Sequence, residues 1–386
     1  MKRILAIMLL VTLFAPGCSW VKSWGEEEPT DPAELVDFDE TLDVKKIWAT
    51  GVGDGSGKKG VNLAIAYDSG SIYIADHKGS LMAIDSATGN KKWDIKLKLP
   101  FSGGPGVSGS VVVIGTLDGQ VLAFNTSDGS LEWNAQVSSE VLSAPAAGDD
   151  IFVVRSIDGR VFGLNVRTGN REWIYDHSVP LLTLRGNSEL LVRAGIAYVG
   201  YDGGSVVALR LDDGSLIWEQ TIVSPDGRTE LERLADVGSQ MVIVASDLIV
   251  SSYKKRVTSL AADSGRLLWF KDISSDSGVQ VDRVNLGVSD KDSHLWMLDR
   301  RNGSTSWKQD KMAYRGLTRP AFYGSYVVVG DAEGYLHWLD SESGNFVARV
   351  REGKKGFAGA PLTVGTTLYV LTNKGTLAAY RAGAAL

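Results

Sequence analysis

The sequence predicts an all-β fold, an eight-bladed β-propeller of four-stranded antiparallel blades, on three observations. The first is a repeat in which a glycine is followed ten residues later by another glycine and four residues after that by tryptophan. It reads Gly79, Gly89, Trp93; Gly119, Gly129, Trp133; Gly159, Gly169, Trp173; and Gly204, Gly214, Trp218. It then decays in register through Lys255, Gly265, Trp269; Ser293, Gly303, Trp307; and Gly334, Gly344, Ala348, and Gly375 opens an eighth copy that is not completed. The first markers span 296 residues in seven intervals, about 42 per repeat, a period that without helical signals means propeller blades.

The second observation is the content of one unit. In SVVVIGTLDGQVLAFNTSDGSLEWNAQV the runs Val111 to Ile114, Val121 to Phe124 and Leu131 to Val137 are rich in β-formers. The Asp118-Gly119 and Asp128-Gly129 pairs between them suit tight hairpins, because glycine accepts positive φ. The preceding PGVSG supplies an inner strand. The third is the fixed tryptophan on the last strand, a large apolar plate that a single twisted sheet cannot bury and a neighbouring blade can. The strand missing from the eighth copy is found near the start, where KKIWATG carries Trp48. That strand completes the last blade and closes the ring, leaving no open edge. Residues 41–386 then form one domain; the alternative is a seven-bladed ring with one irregular repeat.

Composition agrees with a folded chain: 386 residues, 44% apolar and 22% charged. The single cysteine excludes an intramolecular disulfide, a cysteine-rich zinc site and an iron–sulfur cluster. The net charge of −6 is concentrated between Ser19 and Glu40, where eight acids stand against Lys22, so residues 41–386 are almost neutral. Such a body has no field to gather phosphates, and no nucleic-acid partner is expected.

Before the repeats, residues 1–17 have a cationic start at Lys2 and Arg3 and an uncharged run from Ile4 to Phe14, too short to span a bilayer and right for an export signal. Cys18 follows Ala15, Pro16 and Gly17 and resembles the lipobox cysteine of bacterial lipoproteins, although Ala15 and Pro16 depart from the usual residues there. The other reading is an ordinary signal peptide with an incidental cysteine. Ser19 resembles the signal that sorts such lipoproteins to the outer membrane. Residues 18–40, with Pro29 and Pro32, read as a solvated acidic tether.

Signs of catalysis are weak. Gly55, Gly57 and Gly60 make a G-x-G-x-x-G with no strand before it and no helix after it, and a flexible turn is the better reading. His77, His177, His294 and His337 stand at unrelated repeat positions, and no G-x-S-x-G occurs. The acid pairs Asp149-Asp150, Asp212-Asp213 and Asp290 with Asp292 fall where hairpin turns are expected.

The spacing itself points elsewhere. The marker intervals are 40, 40, 45, 51, 38, 41 and 41, so extra length collects in SVPLLTLRGNSELLV, residues 178–192, and SPDGRTELERLADVGS, residues 224–239. Insertions in a repeat protein map to loops, and loops bind. Leu181, Leu182, Leu184 and Arg185 combine apolar anchors with a guanidinium, the composition of a protein interface; an ordinary strand with inward leucines remains the other reading. Glu230, Glu232, Arg233 and Asp236 make the second insertion charged.

These residues carry a resemblance over nearly the whole chain. The repeats, of the form DGxVxALxxxxGxxxW, resemble those of the pyrroloquinoline-quinone dehydrogenases, which are eight-bladed propellers. Lipobox, acidic tether, LLTLRG, ELERLADV and VVVGDAEGYLHWLD together resemble the propeller lipoproteins of the outer-membrane β-barrel assembly machinery. The resemblance implies a non-catalytic scaffold without cofactor or metal. It would be anchored to the outer membrane through Cys18, face the periplasm, bind periplasmic domains of the central barrel subunit and assist nascent outer-membrane proteins. By motif it assigns partner contact to Leu182, Leu184, Arg185 and Asp236; Gly238 departs from the aspartate of the family pattern. The alternatives are a periplasmic carbohydrate or cell-wall binder using Tyr314, Phe322, Tyr323 and Phe357, and a quinoprotein dehydrogenase, which resembles a family with adjacent cysteines that this chain lacks.

Overall fold

The computed structural model describes residues 31–55, 62–179, 190–223, 237, 241–252 and 256–385. Among them every regular element is a strand, and the strands form eight sheets, each with four antiparallel strands as the repeat predicts. We number the blades in chain order: 66–96, 101–136, 146–175, 191–221, 242–271, 279–309, 321–351, and an eighth in which 362–385 is completed by Leu42–Gly51. Leu42–Gly51 pairs antiparallel with Thr376–Ala385, Trp48 opposite Ala379, so the ends of the chain close the ring.

The hydrophobic core is divided into eight clusters, each shared by two neighbouring blades. Strand alternation explains this, because successive side chains point to opposite faces and each face meets a different neighbour. Val112 and Ile114 pack on blade 1, for example, while Val111 and Val113 pack on blade 3.

The tryptophan and the second glycine of the repeat are two halves of one contact. The Trp173 indole lies against Gly214 of the next blade so closely that a Cβ added there would be 2.5 Å from it, and its Nε1–H donates to the Leu211 carbonyl at 2.8 Å. Trp93, Trp133, Trp218, Trp269 and Trp307 repeat the arrangement on Gly129, Gly169, Gly265, Gly303 and Gly344. Trp48, borne on the closing strand, does the same on Gly89 of blade 1 and donates to Ser86. Ala348 stands in place of the tryptophan on blade 7, and there Trp338 is buried against Tyr323, whose hydroxyl donates to the Thr366 carbonyl of blade 8.

Two features depart from the expectations. Blade 2 has five strands, because Asn62–Leu63 pairs parallel with the inner strand Phe101–Ser108, and buried Leu63 inserts between blades 1 and 2. The acidic stretch is also not solvated throughout. The Ala33 amide donates to Ala313 and its carbonyl accepts from Arg315, while Arg349 donates to the Val36 carbonyl and lies 4.9 Å over the Phe38 ring. Arg315, in the connection before blade 7, and Arg349 and Phe346 on that blade therefore hold residues 33–41, a register that charge counting does not reveal.

Beneath this segment lies a buried network. The Asp331 carboxylate accepts from Arg315 and from His337 Nε2 at 3.0 Å, and Arg349 Nε donates to His337 Nδ1 at 3.3 Å, which makes Nδ1 the acceptor and the ring neutral. Burial, with Arg349 and Arg315 nearby, holds the His337 pKa below its usual value despite Asp331.

Two predictions follow from this packing. Gly195 and Gly214 both have positive φ, of 74° and 69°, but a Cβ meets nothing at Gly195 and meets Trp173 at Gly214. Alanine at either costs about 1 kcal/mol or more through the backbone. Gly214→Ala is therefore expected to lower the thermal unfolding midpoint further than Gly195→Ala; equal shifts would show that the indole contact is not tight. In the second, an unfolded histidine takes up a proton as pH falls through about 6.5, whereas folded His337 resists it. The stability it contributes is thus present above that pH and is lost as pH falls below it towards the lowered folded value. Between about pH 7.5 and pH 5.5 the wild-type midpoint should fall more than that of His337→Gln; parallel declines would remove His337 from the acid response.

Candidate functional site

Cys18, Leu182, Leu184, Arg185, Asp236 and Gly238 lie outside the described residues. The residues that root the two insertions are described, and they converge. Segment 180–189 joins the outer strand of blade 3, Arg171–Tyr175, to the inner strand of blade 4, Leu191–Arg193. The second insertion joins the outer strand of blade 4, Leu216–Thr221, to the inner strand of blade 5, Val242–Val244. Between the two roots stands the hairpin 201–204 of blade 4. Ile222 and Val223 donate to the Gly204 carbonyl at 2.9 and 3.2 Å, and Val237 donates to the Tyr201 carbonyl at 3.3 Å. On the other side, the His177 ring stacks on Tyr201 with centroids 3.9 Å apart, and the Tyr201 hydroxyl donates to Gly159 at 3.2 Å.

This hairpin is irregular in sequence. In the other blades the residue three before the first marker is Asp76, Thr116, Ser156, Ser252, Asp290, Asp331 or Thr372. Side chains of this type accept backbone N–H groups of their own turn: Asp76 takes those of Lys78 and Ser80, Asp331 those of Glu333 and Tyr335, and Thr372 that of Thr376. Blade 4 has Tyr201 there, fully buried, with Asp202 after it. Asp202 accepts from Arg155 Nη2 of blade 3 at 3.0 Å, and the guanidinium lies 5.0 Å over the Tyr201 ring. Arg155 occupies a column that is otherwise Ala75, Gly115, Gly200, Ser251, Ser289, Gly330 and Leu371. His177 Nε2 and Glu219 Oε1, 3.0 Å apart, add a second link between blades 3 and 4.

Burial dominates the electrostatics of this clamp. It pushes the Asp202 carboxyl above its usual range although Arg155 opposes the shift, and it pushes the Tyr201 hydroxyl up as well. Arg155 Nε and Asp202 Oδ1 have no hydrogen-bond partner among the described residues. Motif searching missed these residues, because no motif contains them. Comparing the repeat column by column finds them: an arginine in a column of small residues and one leucine, and a tyrosine among turn-capping ones. Chemically the arrangement is a rigid platform holding the ends of two loops, with its ionisable groups engaged with one another.

Other candidates are used differently. Asp290, Asp292 and His294 bring ligand-type atoms within 4.8 Å of one another. Asp290 however accepts from the Asp292 and His294 amides, pairs with His294 Nδ1 at 2.9 Å and accepts from Trp296 Nε1, which makes it the turn cap of blade 6. The aromatic residues named for a sugar site are dispersed. Tyr314 is exposed, Tyr323 is buried in blade 7, and Phe322 and Phe357 line a cavity of about 680 Å³ where the inner ends of blades 1, 6, 7 and 8 meet.

The clamp has a measurable signature. Arg155→Ala leaves a buried carboxylate without its cation and should cost about 3–5 kcal/mol in denaturant unfolding. Replacing both partners, Arg155→Met with Asp202→Leu, should recover most of that loss; a double variant as unstable as the single one would mean that packing, not the charge pair, sets the cost.

A family model described as outer membrane protein assembly factor BamB matches residues 77–309. The outer membrane protein assembly factor BamB of Pseudomonas aeruginosa is 49% identical over 375 residues, covering 97% of this chain and 98% of the relative. That of Escherichia coli is 35% identical over 386 residues, covering 97% and 98%. Among solved structures, BamB from Moraxella catarrhalis superposes with a TM-score of 0.80 at 23% identity over 88% of this chain and 99% of that one. The quinohemoprotein alcohol dehydrogenase of Comamonas testosteroni gives a TM-score of 0.68 at 13% identity over 88% of this chain and 76% of that one, a likeness of fold alone. Family match and full-length relatives agree with the repeat architecture, and the chain belongs to the BamB family of outer membrane protein assembly factors.

Proposed function

We propose that this chain is a non-catalytic scaffold of outer-membrane barrel assembly, held to the outer membrane by lipid on Cys18, with its propeller in the periplasm and residues 1–17 removed as the signal. Its partner is the central barrel subunit, whose periplasmic domains meet Leu182, Leu184, Arg185 and Asp236, and through it nascent outer-membrane proteins. The observation that carries the reading is the convergence of both insertions on one hairpin: Tyr201 contacts the roots of each. Loop roots that meet on one turn favour a composite surface, the arrangement in which apolar anchors and an arginine supply binding energy. Asp236 directly precedes Val237, whose amide donates to the Tyr201 carbonyl, and this supports a contact shared by the acid and the leucine-rich insertion.

The experiment is affinity purification of the tagged, lipidated protein from detergent-solubilised envelopes, wild type beside Arg185→Glu. Wild type should bring down a barrel-assembly subunit. The variant should lose about tenfold or more of it, with an unchanged unfolding midpoint. Recovery with neither protein would overturn the scaffold reading. Equal recovery with both would move the contact away from Arg185.

A further inference from the structure

The acidic stretch before the closing strand is fastened to blade 7 at a few points, and these converge on one buried imidazole. At its start the Ala33 amide donates to the Ala313 carbonyl, and Arg315 Nη1 donates to the Ala33 carbonyl at 2.7 Å. In its middle Arg349 Nη1 donates to the Val36 carbonyl at 3.0 Å, and the same guanidinium lies over Phe38. Phe38 in turn stacks on Phe346, the first residue of the outer strand Phe346–Arg351 and so part of the rim of the ring, with centroids 5.4 Å apart. The Glu40 carboxylate accepts from the Arg349 amide at 3.3 Å. Fully buried His337 is linked to each of these holders: Arg349 Nε donates to its Nδ1, Phe346 meets its ring edge-on at 6.1 Å, and Arg315 shares the Asp331 carboxylate with its Nε2.

The groups around His337 make this arrangement conditional on a neutral ring. About it and its partners stand Asp331 and Glu333 in the preceding turn, Tyr335 on its own strand, Arg349 and Arg351 on the outer strand, Arg315 in the connection before the blade and Glu40 in the acidic stretch. Blade 6 adds apolar side chains to this layer, Met297 among them. The Asp331 carboxylate is already engaged by Arg315, by the Glu333 and Tyr335 amides and by His337 Nε2. A proton on Nδ1 therefore sets one N–H against another, that of Arg349 Nε at 3.3 Å, and places a second cation beside the guanidinium out of solvent. Strand pairing holds the rest of blade 7, whereas residues 33–40 are held by the contacts just named, so this segment is the part that yields.

We propose that residues 33–40 are a strap that the propeller releases on acidification, when a proton on His337 Nδ1 displaces Arg349 from that nitrogen and from the Val36 carbonyl. This rests on the reading of Cys18 as the lipid anchor, and it makes the reach between lipid and propeller depend on pH. The eight freed residues add at most about 28 Å of extended chain. While the strap is in place, burial, with Arg349 and Arg315 nearby, holds the His337 pKa below its usual value despite Asp331. Departure of Arg349 from Nδ1 removes part of that effect, so protonation favours the released state. The strap is therefore held above about pH 6.5 and given up as pH falls below it.

The test uses the full lipidated chain in detergent, with nitroxide labels on Asp37→Cys in the strap and Glu342→Cys in the last hairpin of blade 7, both exposed positions, and reads the distance between them from pH 7.5 to pH 5.5. A narrow distribution at pH 7.5 should be joined by a longer and broader one, whose ratio to the first rises by up to about tenfold per pH unit below about 6.5 and reverses on return. A second pair, Ser127→Cys with Glu342→Cys, should keep its distance throughout, as a ring that stays folded requires. His337→Gln supplies an amide that donates to Asp331 and accepts from Arg349 but takes up no proton, and it should keep the strap in place at pH 5.5. Arg349→Met should release the strap already at pH 7.5. A wild-type strap still held at pH 5.5, equal release in His337→Gln, release only when the ring pair also changes, or a strap held in Arg349→Met would each overturn the proposal. A third label, on Cys18, would instead strike the lipid-anchor reading.

Discussion

An indole resting on a glycine of the next blade is the contact on which the ring depends. Each four-stranded sheet has two apolar faces and can cover neither alone, so the core exists only between blades. The tryptophan supplies a large plate in every such layer except that between blades 7 and 8, where Ala348 takes its place. Its Nε1–H ties that plate to a carbonyl of the neighbour, as Trp173 does to Leu211 and Trp218 to Ala262. The glycine removes the Cβ that would hold the sheets apart. Trp48 makes the same contact from the other end of the chain, so the closing interface between blades 8 and 1 is built like the ones between consecutive blades.

A scaffold so regular makes its exceptions informative. Blade 4 replaces a turn-capping side chain with Tyr201, and blade 3 places Arg155 where other blades have small residues or Leu371. The two changes depend on each other, since Arg155 is held by Asp202 and lies over Tyr201. They occur where both loop insertions leave the ring. A buried charge pair contributes little net stability but is costly to break, which suits a device that fixes the geometry of loop roots. Blade 7 shows a different exception, in which Arg315 and Arg349 reach backbone carbonyls of residues 33–36 and bring Phe38 onto the rim.

Much of this was legible in the residues. The Gly-Gly-Trp register predicted the blades, and the absence of a last strand in the eighth copy, read with KKIWATG, predicted the closure by Leu42–Gly51. The longer intervals located the insertions, and the motifs LLTLRG and ELERLADV located the family. What was not legible were contacts with no sequence signature of their own. Leu63 adds a fifth strand to blade 2 because the inner strand of that blade offers it a parallel partner at Gly104. Residues 33–40 read as part of a solvated tether, because a run of acids reports on charge and not on which carbonyls an arginine distant in sequence will reach.

The sequence by itself determined the number of blades and the closure of the ring, since these follow from periodicity and from side chains that must be buried at each period, while its non-repeat motifs carried the resemblance to the family. Only the tertiary structure decided which residues stand together at the roots of the insertions and which rim positions are covered. Arg155 and Asp202 are 47 residues apart, and Phe38 and Phe346 lie at opposite ends of the chain. The first pair meets because two blades are rotated into contact around the ring axis, and the second because the segment before the closing strand runs over blade 7, relations that local spacing does not encode.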